Sequence, residues 1–260
     1  MSVIAQLPQA LREVESFERG WRRKPVLREL YHEFYELIAA WRSDAPGRDV
    51  ELGSGRADYR KHQPGTFCCD LIPFPWLDFA ADATRLPMAD GSAANLTMID
   101  VLHHLAYVRR FFSEVARVLA PGGRAILLEP YVSPMSWFVY RFLHPEPVDG
   151  RVRPLHVQRD APVCDPHEAL DGNQAIPTAI FWRDRRTFER QHPDLAIVHR
   201  QRLSLLLYPL TGGLRGPSLL PPRAVGLLRR VERALMPLSG LMAFRCLLVL
   251  EKRSHTPDPA

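Results

Sequence analysis

An apolar run that ends on an acid and then breaks on two glycines, Val50-Glu51-Leu52-Gly53-Ser54-Gly55-Arg56-Ala57-Asp58, most restricts what this chain can fold into. A strand that feeds such a loop lets backbone approach a ligand at the carboxyl edge of a parallel sheet. The surrounding pattern agrees. From about Leu11 to Trp41 the positions Leu27, Leu30, Tyr31, Phe34, Leu37, Ile38 and Trp41 recur at helical spacing, and Pro25 fits the first turn of the second of two helices. Strands are predicted at Arg48 to Leu52, Thr66 to Asp70, Leu96 to Leu102 and, after the turn Pro121-Gly122-Gly123, at Arg124 to Glu129. Helices are predicted from Ala57 to His62 and from Tyr107 to Leu119, the latter with Phe111, Phe112, Val115, Val118 and Leu119 on one stripe. Strands alternating with helices imply right-handed crossovers and an α/β fold with a mostly parallel sheet.

After Glu129 about fifty residues rich in Pro, Asp and His read as irregular, the length of a lid or substrate-binding insertion. Order returns with a helix at Arg185 to Gln191, a strand at Ala196 to Leu207, a Gly/Pro-rich stretch from Pro209 to Pro222, a basic helix at Arg223 to Met236 and a last strand at Phe244 to Glu251. The expected division is a helical cap over 1–45, one α/β domain over 46–253 with insertions at about 130–180 and 209–240, and a tail over 254–260.

Composition removes several classes of function. With 260 residues, 46% hydrophobic and 24% charged, the chain can bury a sizeable core, which excludes disordered and fibrous architectures. A net charge of +5 is too mild to mark a nucleic-acid binder, and no basic, aromatic-interleaved segment accompanies it. Cys68, Cys69, Cys164 and Cys246 form no Cys-x-x-Cys pair, and His144, His156 and His167 are scattered, so no metal site is expected. Adjacent Cys68 and Cys69 would point to opposite faces of a strand as small core residues in a reducing compartment. A basic-then-apolar leader is missing at the N-terminus, and no run reaches the ~18 apolar residues of a membrane span, so the expected location is the cytoplasm.

For the glycine loop the rival reading is a dinucleotide fingerprint, which needs a third small residue where Asp58 stands. Glu51 and Asp58 flank the loop, and two carboxylates would repel a pyrophosphate seated at a helix N-terminus. A cationic ligand without phosphate suits the loop better; S-adenosylmethionine, with a sulfonium and an ammonium group, is one.

Taken in order from Val50 to Pro130, these residues resemble the class I S-adenosylmethionine-dependent methyltransferases, in their type 11-like bacterial biosynthetic group. Glu51-Leu52-Gly53-Ser54-Gly55 is similar to the first motif, with Ala57 where a third glycine is common. Asp70, followed by Leu71, matches the acid that accepts from both ribose hydroxyls. Asp82-Ala83-x-x-Leu86-Pro87 resembles the segment that meets adenine, Asn95 stands where an aspartate is frequent, and Asp100-Val101-Leu102-His103-His104-Leu105 resembles the post-strand motif. Leu119-Ala120-Pro121-Gly122-Gly123 is similar to the turn before the fifth strand. The resemblance implies a Rossmann-like fold whose mostly parallel seven-stranded sheet ends in an antiparallel pair, with helices on both faces. It also implies S-adenosylmethionine as the cofactor, held by Glu51, Gly53, Ser54, Gly55, Asp70, Leu71, Asp82, Ala83 and Asp100.

Methyl transfer from a sulfonium asks mainly for positioning and desolvation, and a base is required only for a protonated acceptor. His103 and His104, where the strand opens toward the methyl group, are candidates for proton transfer or for packing; Glu129 is a second candidate or a cap. Tyr31 and Tyr35, with Asn173 and Arg183 from the insertion's Gly172-Asn173-Gln174-Ala175-Ile176-Pro177 region, are candidates for binding the acceptor. The acceptor atom would be oxygen or carbon on a small-molecule, saccharide or lipid-linked intermediate. Arginines interleaved with apolar residues over 219–242 either touch an anionic membrane surface or pack on the same domain. A nicotinamide-dependent oxidoreductase and a non-catalytic binding protein of the same fold remain as alternatives.

Overall fold

Helical spacing at the N-terminus becomes α1 (Val3–Arg23) and α2 (Pro25–Ala39), and Pro25 opens α2 where its missing N–H costs nothing. The computed structural model describes residues 3–158, 160, 162–163, 172–214 and 216–254, so Cys164, His167 and the tail beyond Ser254 lie outside the described residues. The helices are followed by β1 (Arg48–Leu52), α3 (Asp58–His62), β2 (Phe67–Asp70), β3 (Phe79–Ala80), β4 (Ala93–Ile99), α4 (Val108–Val118), β5 (Leu119–Pro130) and α5 (Pro134–Leu143). The second half holds α6 (Ile176–Thr178), α7 (Arg185–Gln191), β6 (Leu195–Leu203), α8 (Leu207–Leu210), α9 (Val225–Leu235), α10 (Ser239–Met242) and β7 (Arg245–Lys252).

The strands form one seven-stranded sheet in the order β3-β2-β1-β4-β5-β7-β6. Neighbours from β3 to β5 pair in parallel, and β7 runs antiparallel between β5 and β6. The order reverses between β1 and β4, which opens a crevice beyond their carboxyl ends where open α/β sheets bind ligands. Alternation along β5 and β7 explains why both faces are covered. Leu127 and Leu248 face the core that holds α4, while Ile126, Leu128, Leu247 and Val249 face α2 through Tyr31, Phe34 and Ile38. Cys68 and Cys69 are both buried, as expected of adjacent strand residues. Among the described residues no helix is long and apolar enough to cross a membrane.

Three expectations need correction. The strand expected at Leu96 to Leu102 begins at Ala93 and stops at Ile99, because Leu102–His104 closes into a 3-10 turn. The turn Pro121-Gly122-Gly123 does not precede β5 but lies inside it. Gly122 takes φ +75°, and a Cβ on Gly123 would come within 2.8 Å of the Ala120 carbonyl oxygen, so these glycines let the strand bulge without leaving the sheet. The stretch after Glu129 is not irregular throughout: Ser133 and Ser136 form a reciprocal capping box that starts α5, with Pro134 in its first turn.

Asn95, buried in β4, donates to Asp49 Oδ1 at 2.7 Å and to the Ser43 carbonyl, and accepts from the Ser43 N–H at 2.8 Å. It thereby ties the α2–β1 connection to the sheet. The α4 stripe is fully buried, and the Phe112 ring packs edge-on against Phe181 and Phe188 at 5.9 and 4.9 Å between centroids. Phe112→Ala would leave a cavity that rigid strands cannot close. It should cost about 3–5 kcal/mol in urea unfolding, and a loss under 1 kcal/mol would show that this layer is not the core it looks like.

Candidate active site

The glycine loop is held by a chain of short bonds that its sequence makes available. Ser54 donates from its backbone to the Cys69 carbonyl at 2.9 Å and from its hydroxyl to the Glu51 carbonyl at 2.7 Å, and it accepts from the Cys69 N–H at 3.0 Å. Gly55 N–H donates to Asp70 Oδ2 at 2.9 Å, and the other Asp70 oxygen accepts from Ile72 N–H at 3.0 Å. β1 and β2 are thus joined at the point where both stop. Gly53 and Gly55 have φ of +65° and +44°. A Cβ on Gly53 would sit 2.4 Å from a Val101 methyl, whereas one on Gly55 would project into open space. Gly53 is required by close packing, Gly55 by access to the backbone.

That open space belongs to a cavity of about 810 Å³ beyond the carboxyl ends of β1, β2 and β4. All nine residues expected to hold the cofactor line it: Glu51, Gly53, Ser54, Gly55, Asp70, Leu71, Asp82, Ala83 and Asp100. Tyr31, Tyr35, His103 and His104 line it too. Asn173, Arg183 and Glu129 do not. Asn173 accepts from Asp149 and Ala175 N–H groups, and Arg183 donates to the Gly150 and Val152 carbonyls while pairing with Asp184 at 2.8 Å, so both hold the insertion together. The neighbouring Gln174 reaches the cavity, as do Tyr140, Leu143, His144 and Glu146 from earlier in the insertion.

Burial changes the charges that a sequence would assign to the loop. It pushes the Glu51 carboxyl up to about 8, against hydrogen bonds from Cys68 and Ser54, so at neutral pH this group is mostly uncharged. Asp58 is paired with Arg56 at 2.8 Å and with Lys61 at 2.7 Å. The expected repulsion from two bare carboxylates is therefore corrected: one is neutralised by burial, the other by its own partners. Burial also raises Asp70, against three backbone hydrogen bonds that favour its charge.

Behind the cavity wall, Glu129 is fully buried and accepts from Val101 N–H at 2.9 Å, Leu102 N–H at 2.8 Å and His103 Nδ1 at 2.9 Å. The other ring nitrogen of His103 lies 3.3 Å from Glu146 Oε2, which also accepts from Gln174. Burial works to lower the His103 pKa, but bonds and charges from the two glutamates outweigh it and hold the imidazolium up to about 9. Burial would likewise raise Glu146, yet His103 takes it down to about 2. The His104 ring lies tilted beside that of His103, with 4.1 Å between centroids. His103, His104 and Glu146 each place one ligand atom within 4.8 Å of the others, a spacing a cation could bridge; the His103–Glu146 hydrogen bond already links two of them.

The far wall is aromatic. Tyr31, Tyr35, Tyr140, Tyr208 and Phe244 line it, and burial pushes the Tyr31, Tyr140 and Tyr208 hydroxyls up, so they stay neutral. Arg245, which is 2% exposed, donates to Asp100 Oδ1 at 2.7 Å and to the Tyr208 hydroxyl at 3.1 Å, with its guanidinium over the Phe34 and Tyr208 rings. Its Nε is buried without a hydrogen-bond partner. Sequence reading missed Arg245, Glu146 and Tyr140; the one available signal was a lone arginine heading the apolar strand Arg245–Lys252.

The His103–Glu146 pair sets a pH signature. A histidine raised from 6.5 to about 9 adds stability fully present below pH 6.5 and lost as pH rises through 9; a glutamate lowered from 4.5 to about 2 adds stability present above pH 4.5 and lost as pH falls through 2. Glu146→Gln should therefore cost most between pH 4.5 and 6.5, on the order of 1–3 kcal/mol, with the gap to the parent narrowing toward pH 9. Chemical denaturation across that range measures it; a gap that widens from pH 6.5 to 9 would contradict the charged imidazole.

A family profile described as a methyltransferase domain matches residues 56–127. The demethylmenaquinone methyltransferase of Deinococcus radiodurans is 29% identical over 147 residues, covering 48% of this chain and 56% of the relative. That of Beutenbergia cavernae is 36% identical over 73 residues, covering 25% and 30%. The chain thus spans about half, or less, of the length of these curated relatives. Among solved structures, an S-adenosylmethionine-dependent methyltransferase from Mesorhizobium loti covers 84% of this chain and 96% of its own at 16% identity and a TM-score of 0.46. Geranyl diphosphate C-methyltransferase from Streptomyces coelicolor A3(2) covers 87% and 80% at 14% identity and 0.47. Residues 56–127, which run from the glycine loop into β5, thus match a methyltransferase domain, and the sheet ordered 3-2-1-4-5-7-6 is the Rossmann-like fold of class I S-adenosylmethionine-dependent methyltransferases.

Proposed function

We propose that this protein transfers a methyl group from S-adenosylmethionine to an oxygen or carbon atom of a small, largely apolar acceptor of the quinol or lipid-linked kind. One observation carries the reading: the same cavity is lined by the glycine loop and Asp70, by the aromatic side chains Tyr31, Tyr140, Tyr208 and Phe244, and by His103 and His104. The names of the two curated relatives support an apolar acceptor, since both are described as acting on demethylmenaquinone.

The residues on the cofactor side fit an adenosine ligand with a cationic end. Gly55 offers backbone without a side chain, Asp70 presents a carboxylate beside it for ribose hydroxyls, and Glu51 can regain its charge against an ammonium group. When bound, the cofactor supplies an electrophilic methyl group that needs no further activation. The protein's contribution is to orient the two partners and keep water out. Glu129 and Glu146 fix the His103 ring in its charged form, so at neutral pH it has no lone pair to offer an acceptor hydroxyl. A proton leaving such a hydroxyl would pass to His104, the second ring on the cavity wall. Arg245, held by Asp100 and Tyr208, stabilises negative charge that develops on an acceptor oxygen within the aromatic chamber.

The test is release of S-adenosylhomocysteine and transfer of labelled methyl when the protein is given bacterial lipid and metabolite extracts, with Asp70→Ala as the comparison. Loss of the ribose-facing carboxylate should weaken S-adenosylhomocysteine binding by roughly thirty- to a thousand-fold with the thermal midpoint little changed. Affinity within threefold of the parent would remove Asp70 from the cofactor site. Transfer only to water-soluble, charged acceptors would overturn the apolar-acceptor reading.

A further inference from the structure

Building on the apolar-acceptor reading, we propose that α5, residues 216–221 and the α9–α10 segment form one face that docks on an anionic lipid bilayer, where a membrane-dissolved acceptor enters the cavity. The placement of exposed apolar side chains carries this. Among the described residues thirteen large hydrophobics are exposed, and ten of them fall within 134–143 and 219–242. Such concentration is unusual for a surface that faces only water.

α5 shows how the face is built. Its capping box and the Tyr140 hydroxyl, which donates to the Phe244 carbonyl at 2.6 Å, fix Ser136 and Tyr140 inward. On the other side of the helix, Trp137, Phe138, Arg141 and Phe142 point outward. Phe142 is 61% exposed and, among the described residues, its ring partners are its helix neighbours Phe138 and Trp137, at 4.9 and 6.3 Å. An aromatic cluster packed on itself at a surface gains more from an acyl–headgroup boundary than from water. α10 packs on α5 and extends the patch with Leu241, preceded by Leu238.

The patch is continuous with the mouth of the cavity. Leu143, 76% exposed, and Leu219, 70% exposed, both belong to the face and both line the cavity. An apolar acceptor could therefore pass from lipid to the aromatic chamber without crossing bulk water. Charge agrees with the sign of bacterial lipid. Segments 134–143 and 219–242 contain five arginines and one acid, Glu232. Glu232 is turned inward, accepting from the N–H groups of Leu205, Leu206 and Leu207, and Arg229 is paired with Glu29 and Glu33. Arg141, Arg223, Arg230 and Arg233 remain exposed on this side, as a surface that meets anionic headgroups requires.

Flotation with phosphatidylcholine vesicles, with and without phosphatidylglycerol, tests the proposal on the whole chain. The protein should float with the anionic vesicles and little with the neutral ones. Phe138→Ser with Phe142→Ser should weaken partition roughly tenfold or more, and Arg230→Glu with Arg233→Glu should remove the preference for phosphatidylglycerol. Neither pair lines the cavity, so S-adenosylhomocysteine affinity and thermal midpoint should stay at the parent values in both. Absence of flotation, or flotation that both pairs leave unchanged, would overturn the docking; so would a dimer in light scattering that Phe142→Ser disperses without any vesicle binding, which gives the face to a second copy. Flotation without S-adenosylhomocysteine binding would sink the methyl-transfer reading and leave the docking standing. Binding without flotation would do the reverse.

Discussion

The joint between β4, β5 and the insertion hangs on the Glu129 carboxylate. It is buried at the end of β5, where an unpaired charge would be costly, and it is tolerated because three donors converge on it. Two of these are the N–H groups of Val101 and Leu102, the backbone that leaves β4 and has no strand partner there. The third is His103 Nδ1, whose other nitrogen reaches Glu146 in the insertion. One carboxylate thereby fixes the end of β4, the facing strand and the cover of the cavity. Sequence reading offered Glu129 as a base or a cap; its burial and three accepted bonds put it behind the cavity wall in a positioning role.

The same logic of burial and pairing decides the electrostatics on the cofactor side. Glu51 carries little charge at neutral pH because β1 and β2 enclose it, and Asp58 is answered by Arg56 and Lys61. The loop is thus nearly neutral. On the aromatic side Arg245 is the buried cation, balanced by Asp100, which takes φ +59° to turn the chain between β4 and the His103–His104 turn. Each half of the cavity contains a charge that its surroundings hold in reserve.

What was legible in the sequence lies at strand ends close along the chain. The glycine loop, Asp70, Asp82 and Asp100 could be placed because a strand's last residue and the next few form a site by themselves, and nine such residues meet in one cavity. β3, two residues long, carries too little pattern to be read. Arg245 and Asp100 are 145 residues apart, and Glu146 finds His103 through an insertion whose helix is declared only by the pair Ser133 and Ser136, so no local pattern announces them. Asn173 and Arg183 look like binding groups in isolation; only the carbonyls and amides around them reveal that they fasten the insertion instead. Ionisation was the least legible property of all, since it depends on enclosure and on partners from other elements.

Central to the account is a cavity that accepts an adenosine ligand by letting a cation draw the proton from Glu51. Titration calorimetry with S-adenosylhomocysteine, repeated in buffers of different ionisation enthalpy, tests this directly. A carboxyl held at about 8 in the empty site and ionised against the ligand's ammonium group should release close to one proton per ligand at pH 6.5, about half a proton near pH 8 and little by about pH 9, with affinity rising roughly thirtyfold over that span. Affinity that is flat or falls with pH, or binding without proton release at pH 6.5, would contradict it.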